Sequence, residues 1–306
     1  GSPTTYQEYR AVWISYLDLD TLLKGKSATQ FTSSIGSAFD QVKTLGANTV
    51  ICQVRPFGDA LYDSDYFPWS YTITGTEGKN PGFDPLVIMV QQAHARGLKI
   101  EAWVNPYRIR SSSGVSSLSD GNIAKQWYNE GNGAVVIYNN GLYYNPGSQQ
   151  AMDLIVNGVA EIVRNYQVDG IHFDDYFYPT TAASFDQSTY DAYQAAGGGL
   201  SLADWRRSNV DQLVSRCYST IKSIRPSVTF GISPAGNLNS CRNSMYLNID
   251  GWLSQQGYVD YICPQIYFGF TNSSLPFSST VAQWNRLITN GTTKLYVGLA
   301  PYKVGN

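Results

Sequence analysis

Apolar runs of strand length alternate with amphipathic segments along the whole chain. Seven runs rich in β-branched and aromatic residues predict strands: 10–16 (RAVWISY), 48–55, 98–106, 168–175 (VDGIHFDD), 227–234, 258–268 and 294–301. Between them, Phe31, Ile35, Phe39, Val42 and Leu45 fall at helical spacing within 28–45. Residues 84–96, 148–166, 201–225, 243–257 and 278–290 predict further helices. Gly46 and Gly97 stand where helix-ending glycines stand, and Pro226 follows the 201–225 helix. Residues 56–83, 107–147 and 180–200 read as long loops, with a helical piece near 120–130.

The repeated β-then-α order predicts a parallel sheet covered by helices. Long strand-to-helix loops and short helix-to-strand loops place the elaboration on one face, as in a (β/α)8 TIM barrel. The chain therefore reads as α/β, one barrel domain over 1–306, with Gly1-Ser2 as an expression remnant. Seven strands are identifiable and the eighth is absent or truncated. An open edge between strands seven and one, or closure by a partner, is the expectation.

Alternation of side chains along each strand sorts the interior from the helix side. On strand four, Ile171 and Phe173 face helices, so Gly170, His172 and Asp174 face the axis. Asp175 lies one step beyond, at the turn. The same test turns Gln53 and Arg55 inward on strand two, Glu101, Trp103 and Asn105 on strand three, and Cys263, Gln265 and Tyr267 on strand six. Arg55, Asn105, Asp174, Gln265 and Tyr267 thus converge at strand C-terminal ends, where barrels of this type do chemistry.

Most remaining polar residues have structural roles to fill. Asp169-Gly170 reads as turn chemistry and Asp84 before Pro85 as a helix cap. Asp204 reads as a first-turn acid with Arg206 or Arg207 in salt bridges, and His172 and Trp103 as core. Glu101 reads equally as a buried partner or a second carboxylate. Tyr107, Tyr176 and Tyr178 follow strand ends and read as ring platforms for a sugar.

The chain has 23 Tyr, 7 Trp and 12 Phe, yet only 14% charged residues and a net charge of -2. A domain ordinarily has about 25% charged residues. Tyr-rich, weakly charged surfaces suit neutral hydroxylated ligands and also typify extracellular proteins. No basic cluster recommends nucleic acid or anionic lipid. No apolar run is long enough for a transmembrane helix. Two His and no CxxC pair give no cofactor or metal set, and Asp59, Asp63 and Asp65 lack a calcium-loop pattern. Cys52 and Cys263 read as buried thiols; Cys217 and Cys241 stand open as a disulfide or as two thiols. The sequence carries no signal for oligomeric state.

IHFDDYFYP (171–179), AWVNPYR (102–108), GISPAGN (231–237), DYICPQIYF (260–268) and LAPYKVG (299–305) together resemble the glycosyl-hydrolase-like family ten of bacterial envelope proteins. ADWRR (203–207) and NPGFDPL (80–86) fit as well, so the resemblance covers essentially the whole chain. It implies an exported or secreted barrel, its export signal removed, acting as a glycosidase on peptidoglycan strands stripped of their peptides. It implies catalytic candidacy for Asp174 and Asp175, and a sugar site with Asn105, Tyr107, Arg108, Gln265 and Tyr267; Asn237, ending GISPAGN, joins the binding candidates.

Glycosidases commonly use two carboxyls. Strands five, six and seven end without one, so the second acid is Asp175, Glu101 or a loop acid such as Asp59 or Asp63. A third route has the substrate's N-acetyl group as nucleophile, with Asp174, Asp175 and Tyr267 around it. A glycan-binding barrel without activity and a hydrolase of another extracellular polysaccharide are the alternative readings.

Overall fold

Each predicted strand is present in the computed structural model, trimmed at its ends; the structure describes residues 7–8, 10–112, 114–266 and 274–302. The strands are β1 (Gln7–Glu8, continuing as Ala11–Ile14), β2 (Thr49–Arg55), β3 (Lys99–Val104), β4 (Gly170–Phe173), β5 (Thr229–Ile232), β6 (Tyr261–Ile262) and β7 (Lys294–Val297, continuing as Ala300–Pro301). They pair in parallel in chain order, with His172 opposite Trp103 and Gly231. β7 then pairs with β1, Tyr296 opposite Gln7 and Ala300 opposite Val12. The two ends of the sheet meet, so the expected open edge between strands seven and one is absent.

Alternation along the strands divides two layers of packing. Val50, Cys52 and Val54 join Phe31, Ile35 and Phe39 of the helix Ala28–Thr44 in the large outer core. Ala11, Ile51 and Trp103 form a separate small cluster inside the barrel, with Trp13 and Leu299 against it. Trp13 and Trp103 stack at 5.0 Å. Below them runs a polar chain. The Trp13 indole donates to His172 Nε2, so His172 carries its proton on Nδ1 and donates it to the Tyr261 hydroxyl at 2.7 Å. Tyr261 in turn donates to Glu101 at 2.6 Å. Burial lowers the His172 pKa to about 3, keeping the ring neutral.

The strand-to-helix loops carry more structure than expected. Within 107–147 lie the antiparallel strands Arg108–Arg110, Val135–Tyr138 and Gly141–Tyr144, besides the helix Ile123–Glu130. Within 180–200 lies the helix Gln187–Ala195. Its anchor is Arg206, fully buried between the rings of Tyr178 and Tyr246 and paired with Asp186 through both carboxylate oxygens, at 3.0 and 2.6 Å. The second arginine of that motif, Arg207, makes a surface pair with Asp204.

Asp84 caps the helix Pro85–Ala95. Asp169 accepts from His94 and from the Ile100 N–H, pinning β3 to β4 at their N-terminal ends. All four cysteines are buried free thiols, so Cys217 and Cys241 are not bonded to each other. Among the described residues, no helix is long and apolar enough to cross a membrane.

Candidate active site

β4 ends at Phe173, and the two acids follow immediately. Asp174 continues the inward alternation but stops below the rim, only 1% exposed. Trp103 Nε1 donates to its Oδ2 at 2.8 Å and the Tyr176 N–H to its Oδ1 at 3.1 Å. Burial pushes its pKa up to about 7, against the Trp103 hydrogen bond and with help from the charge of Asp175.

Asp175 is half-buried and lines a cleft of about 290 Å3 with Asn105, Arg108, Tyr143 and Tyr176 on its walls. Burial raises its pKa too, while a hydrogen bond with Gln265 and the charge of Arg108 oppose the rise. Alternation alone gives Asp174 precedence; the structure brings Asp175 to the cleft instead.

The cleft wall carries donors without acceptors. Asn105 is fully buried; its Oδ1 accepts from the Arg108 N–H, and its Nδ2 has no partner. Arg108 Nε is likewise unpaired. The Arg108 guanidinium sits 4.6 Å from the Phe57 ring, 4.7 Å from Tyr176 and 6.0 Å from Tyr16. Unpaired buried donors are costly in a free protein, about 1–3 kcal/mol each, and a ligand oxygen relieves that cost.

The other candidates divide. Tyr176 is half exposed and offers a ring face beside the acids. Tyr107 is buried edge-on to Phe177, and Tyr178 is buried under Asn209 and Tyr246, so neither is an open platform. Arg55 lies beneath the mouth, donating to the carbonyls of Phe57 and Pro106 and stacking on Phe67; it holds two loops rather than reaching the cleft. Glu101 lies below the tryptophan pair, bonded to Tyr261, with its pKa raised to about 8 by burial, too deep to serve as the second acid at the mouth.

Asn237 caps the helix Leu238–Asn243 and lines a neighbouring shallow pocket with Gln265. Gln265 also donates to the Ser233 carbonyl. Tyr267 lies outside the described residues. Tyr16, Phe57 and Tyr143 are site residues the sequence reading did not select. Tyr16 and Phe57 follow strand ends, the same signal that singled out Tyr107; Tyr143 sits in a hairpin marked by Asn140-Gly141 between two apolar runs, within a stretch read as loop.

The acids of the 59–65 loop do not converge. Asp63 and Asp65 offer backbone N–H groups to Asp84 and Glu161, and Asp59 turns the other way, into a separate pocket. Among the described residues, no group of three or more His, Cys, Asp or Glu is arranged to hold a metal ion.

Residues 8–306 match the family model described as glycosyl hydrolase-like 10. Two curated relatives are glycosyl hydrolase YngK of Bacillus subtilis, 37% identical over 98% of this chain, and glycosyl hydrolase DigH of Escherichia coli, 38% identical over 87%. The chain spans 62% of the first and 65% of the second. Among solved structures, the PgaB (BpsB) glycoside hydrolase domain from Bordetella bronchiseptica superposes with a TM-score of 0.65 at 14% identity, covering 95% of this chain and 84% of that one. Alpha-L-fucosidase isoenzyme 2 from Paenibacillus thiaminolyticus gives 0.52 at 14% identity, covering 95% and 46%. These two likenesses show the barrel fold.

Proposed function

The chain belongs to the glycosyl hydrolase-like 10 family, and on that premise we propose that it is a glycoside hydrolase whose substrate is peptide-free peptidoglycan. The observation that carries the reading is Asp175 on the wall of a cleft, directly beside a buried, proton-holding Asp174. Burial keeps Asp174 largely protonated near neutral pH and raises the pKa of Asp175 as well, so Asp175 holds a proton above the ordinary carboxyl range. A glycosidase delivers such a proton to the leaving oxygen. Asp175 is the member that reaches the cleft, so it hands the proton over.

Retaining and inverting enzymes set their two carboxyls on either side of the scissile bond. Here the acids share one wall, and Asp175 is the acid among the described residues that line the cleft. That arrangement favours a substrate-assisted route. Asp175 protonates the glycosidic oxygen, the C1–O bond breaks, and the carbonyl oxygen of the sugar's N-acetyl group bonds to C1. Water then attacks C1, reopening that ring, and its proton returns to Asp175. Asn105 Nδ2 and Arg108 Nε are the donors for sugar oxygens, and Tyr176 is the ring face. The reading places the protein in the cell envelope or outside the cell, where this glycan lies.

The test is mass spectrometry of products from peptide-free peptidoglycan, intact peptidoglycan, chitin and xylan. Cleavage of the peptide-free strands, with little or none of xylan, is expected. Binding without any released product would sink the enzymatic reading, and preferential cleavage of xylan would sink the N-acetyl route.

A further inference from the structure

A second cavity, of about 620 Å3, opens on the far side of Arg108 from the acid pair. Tyr16 and Phe57 line it, while Arg108 and Tyr176 line the first cleft. Arg108 lines only the first cleft, but it stacks on Phe57 and Tyr16 of the second, so this stack lies between the two spaces. The second cavity is the more apolar in character: Leu17 and Tyr71 stand exposed at its margin, and the Tyr16 and Phe57 rings meet edge-to-face at 5.0 Å.

One buried polar atom in this cavity has no partner. Asp59 is 4% exposed, and its Oδ1 accepts no hydrogen bond. The neighbouring charges are already used: Glu77 takes Arg110, the Ser119 N–H and Asn122, and Lys24 takes Asp20 while lying over the Tyr71 ring. What the cavity lacks is a donor for Asp59, presented by something with flat apolar faces. A pyranose has both, with hydroxyl or acetamido hydrogens at its edge and C–H faces for rings.

We propose that this cavity is a second pyranose subsite, in which Asp59 Oδ1 accepts from a hydroxyl or acetamido N–H and the glycan strand crosses the Arg108 wall to reach Asp175. The inference rests on the glycosidase reading for its strand, and extends it: the enzyme acts on polymer, gripping a sugar remote from the bond it breaks. Binding energy from such a remote unit speeds reaction of long substrates over short ones.

The test compares Asp59→Ala, which removes the acceptor, and Tyr71→Ala with wild type on peptide-free glycan oligomers of increasing length. Loss of one hydrogen bond between a sugar and a carboxyl lowers kcat/KM by about fivefold or more. The ratio of variant to wild-type kcat/KM is expected to worsen as chain length grows to span both cavities. Tyr71 is a surface ring, so Tyr71→Ala separates a subsite effect from a folding defect at buried Asp59. An equal loss at every length, or none at any length, overturns the subsite. If wild type cleaves no oligomer, the glycosidase reading fails by itself, and calorimetric titration of the same oligomers decides the cavity. Weaker binding of long oligomers by both variants upholds it; binding equal to wild type, or no binding to wild type, overturns it.

Discussion

Asp174 accepts hydrogen bonds from Trp103 and the Tyr176 N–H, whereas Asp175 faces the cleft with Gln265 and Arg108 beside it. If Asp175 delivers the proton, activity falls as pH rises through its pKa, which burial lifts above the ordinary carboxyl range. Asp175→Asn is expected to lower kcat by at least about a hundredfold, the usual scale of a general acid. Asp174→Asn removes the neighbouring charge, so the alkaline limb of the pH–rate profile moves to lower pH. An unmoved limb in Asp174→Asn, or full turnover in Asp175→Asn, would refute the scheme. The acids, Asn105, Arg108 and Gln265 were legible because they end strands or follow them directly. Their ranking was not, since alternation reports the direction of a side chain and says nothing of its depth. Three tyrosines after strand ends look alike in sequence; only packing exposes Tyr176 and buries Tyr107 and Tyr178.

The loops that build the mouth are elements in their own right, and their legibility followed their chemistry. The helix Gln187–Ala195 has no buried residue, so it shows no apolar stripe and reads as loop. The hairpin Val135–Tyr138 to Gly141–Tyr144 is short, and two asparagines in left-handed backbone, Asn139 and Asn140, make its turn. Asn140-Gly141 at this turn is a hairpin signal, but it stands inside a long stretch read as loop. What fastens the Gln187–Ala195 helix to the barrel is the Arg206–Asp186 pair, both side chains fully buried. Removing one partner leaves an uncompensated buried charge, which costs about 3–5 kcal/mol. Asp186→Ala is therefore expected to shift the denaturant midpoint strongly downward. The double variant Asp186→Leu with Arg206→Met is expected to recover much of the loss, because no lone charge remains. A single variant within about 1 kcal/mol of wild type would contradict this anchoring role.

At the scale of the whole molecule, the seven strands and their parallel order were legible in the alternating runs, but the meeting of β7 with β1 was not. A sequence displays strands without displaying their neighbours, and this contact joins residues at opposite ends of the chain. Of the carboxyls whose protonated form burial favours, three are raised furthest: Asp59 and Asp174, each to about 7, and Glu101, to about 8. The unfolded chain releases those protons near the ordinary carboxyl values of 3.8 and 4.5. Between those values and the raised ones the folded state holds more protons, so each group's stabilising contribution is complete on the acid side and is lost as pH rises through its folded pKa. His172 acts in the opposite sense, because its pKa is depressed to about 3 and the unfolded ring protonates near 6.5. Its contribution is present above 6.5 and fades only below that, which leaves the interval from pH 6.5 to 8 to the carboxyls. The thermal midpoint is expected to fall across that interval. Glu101→Gln isolates one of the three, since Gln still accepts from the Tyr261 hydroxyl and has no proton to lose. The variant is expected to lose less stability than wild type between pH 6.5 and 8, by on the order of 1 kcal/mol. Parallel pH dependences for the two proteins would show that Glu101 ionises in the folded barrel without cost, and that the polar chain beneath the tryptophan pair tolerates a charge.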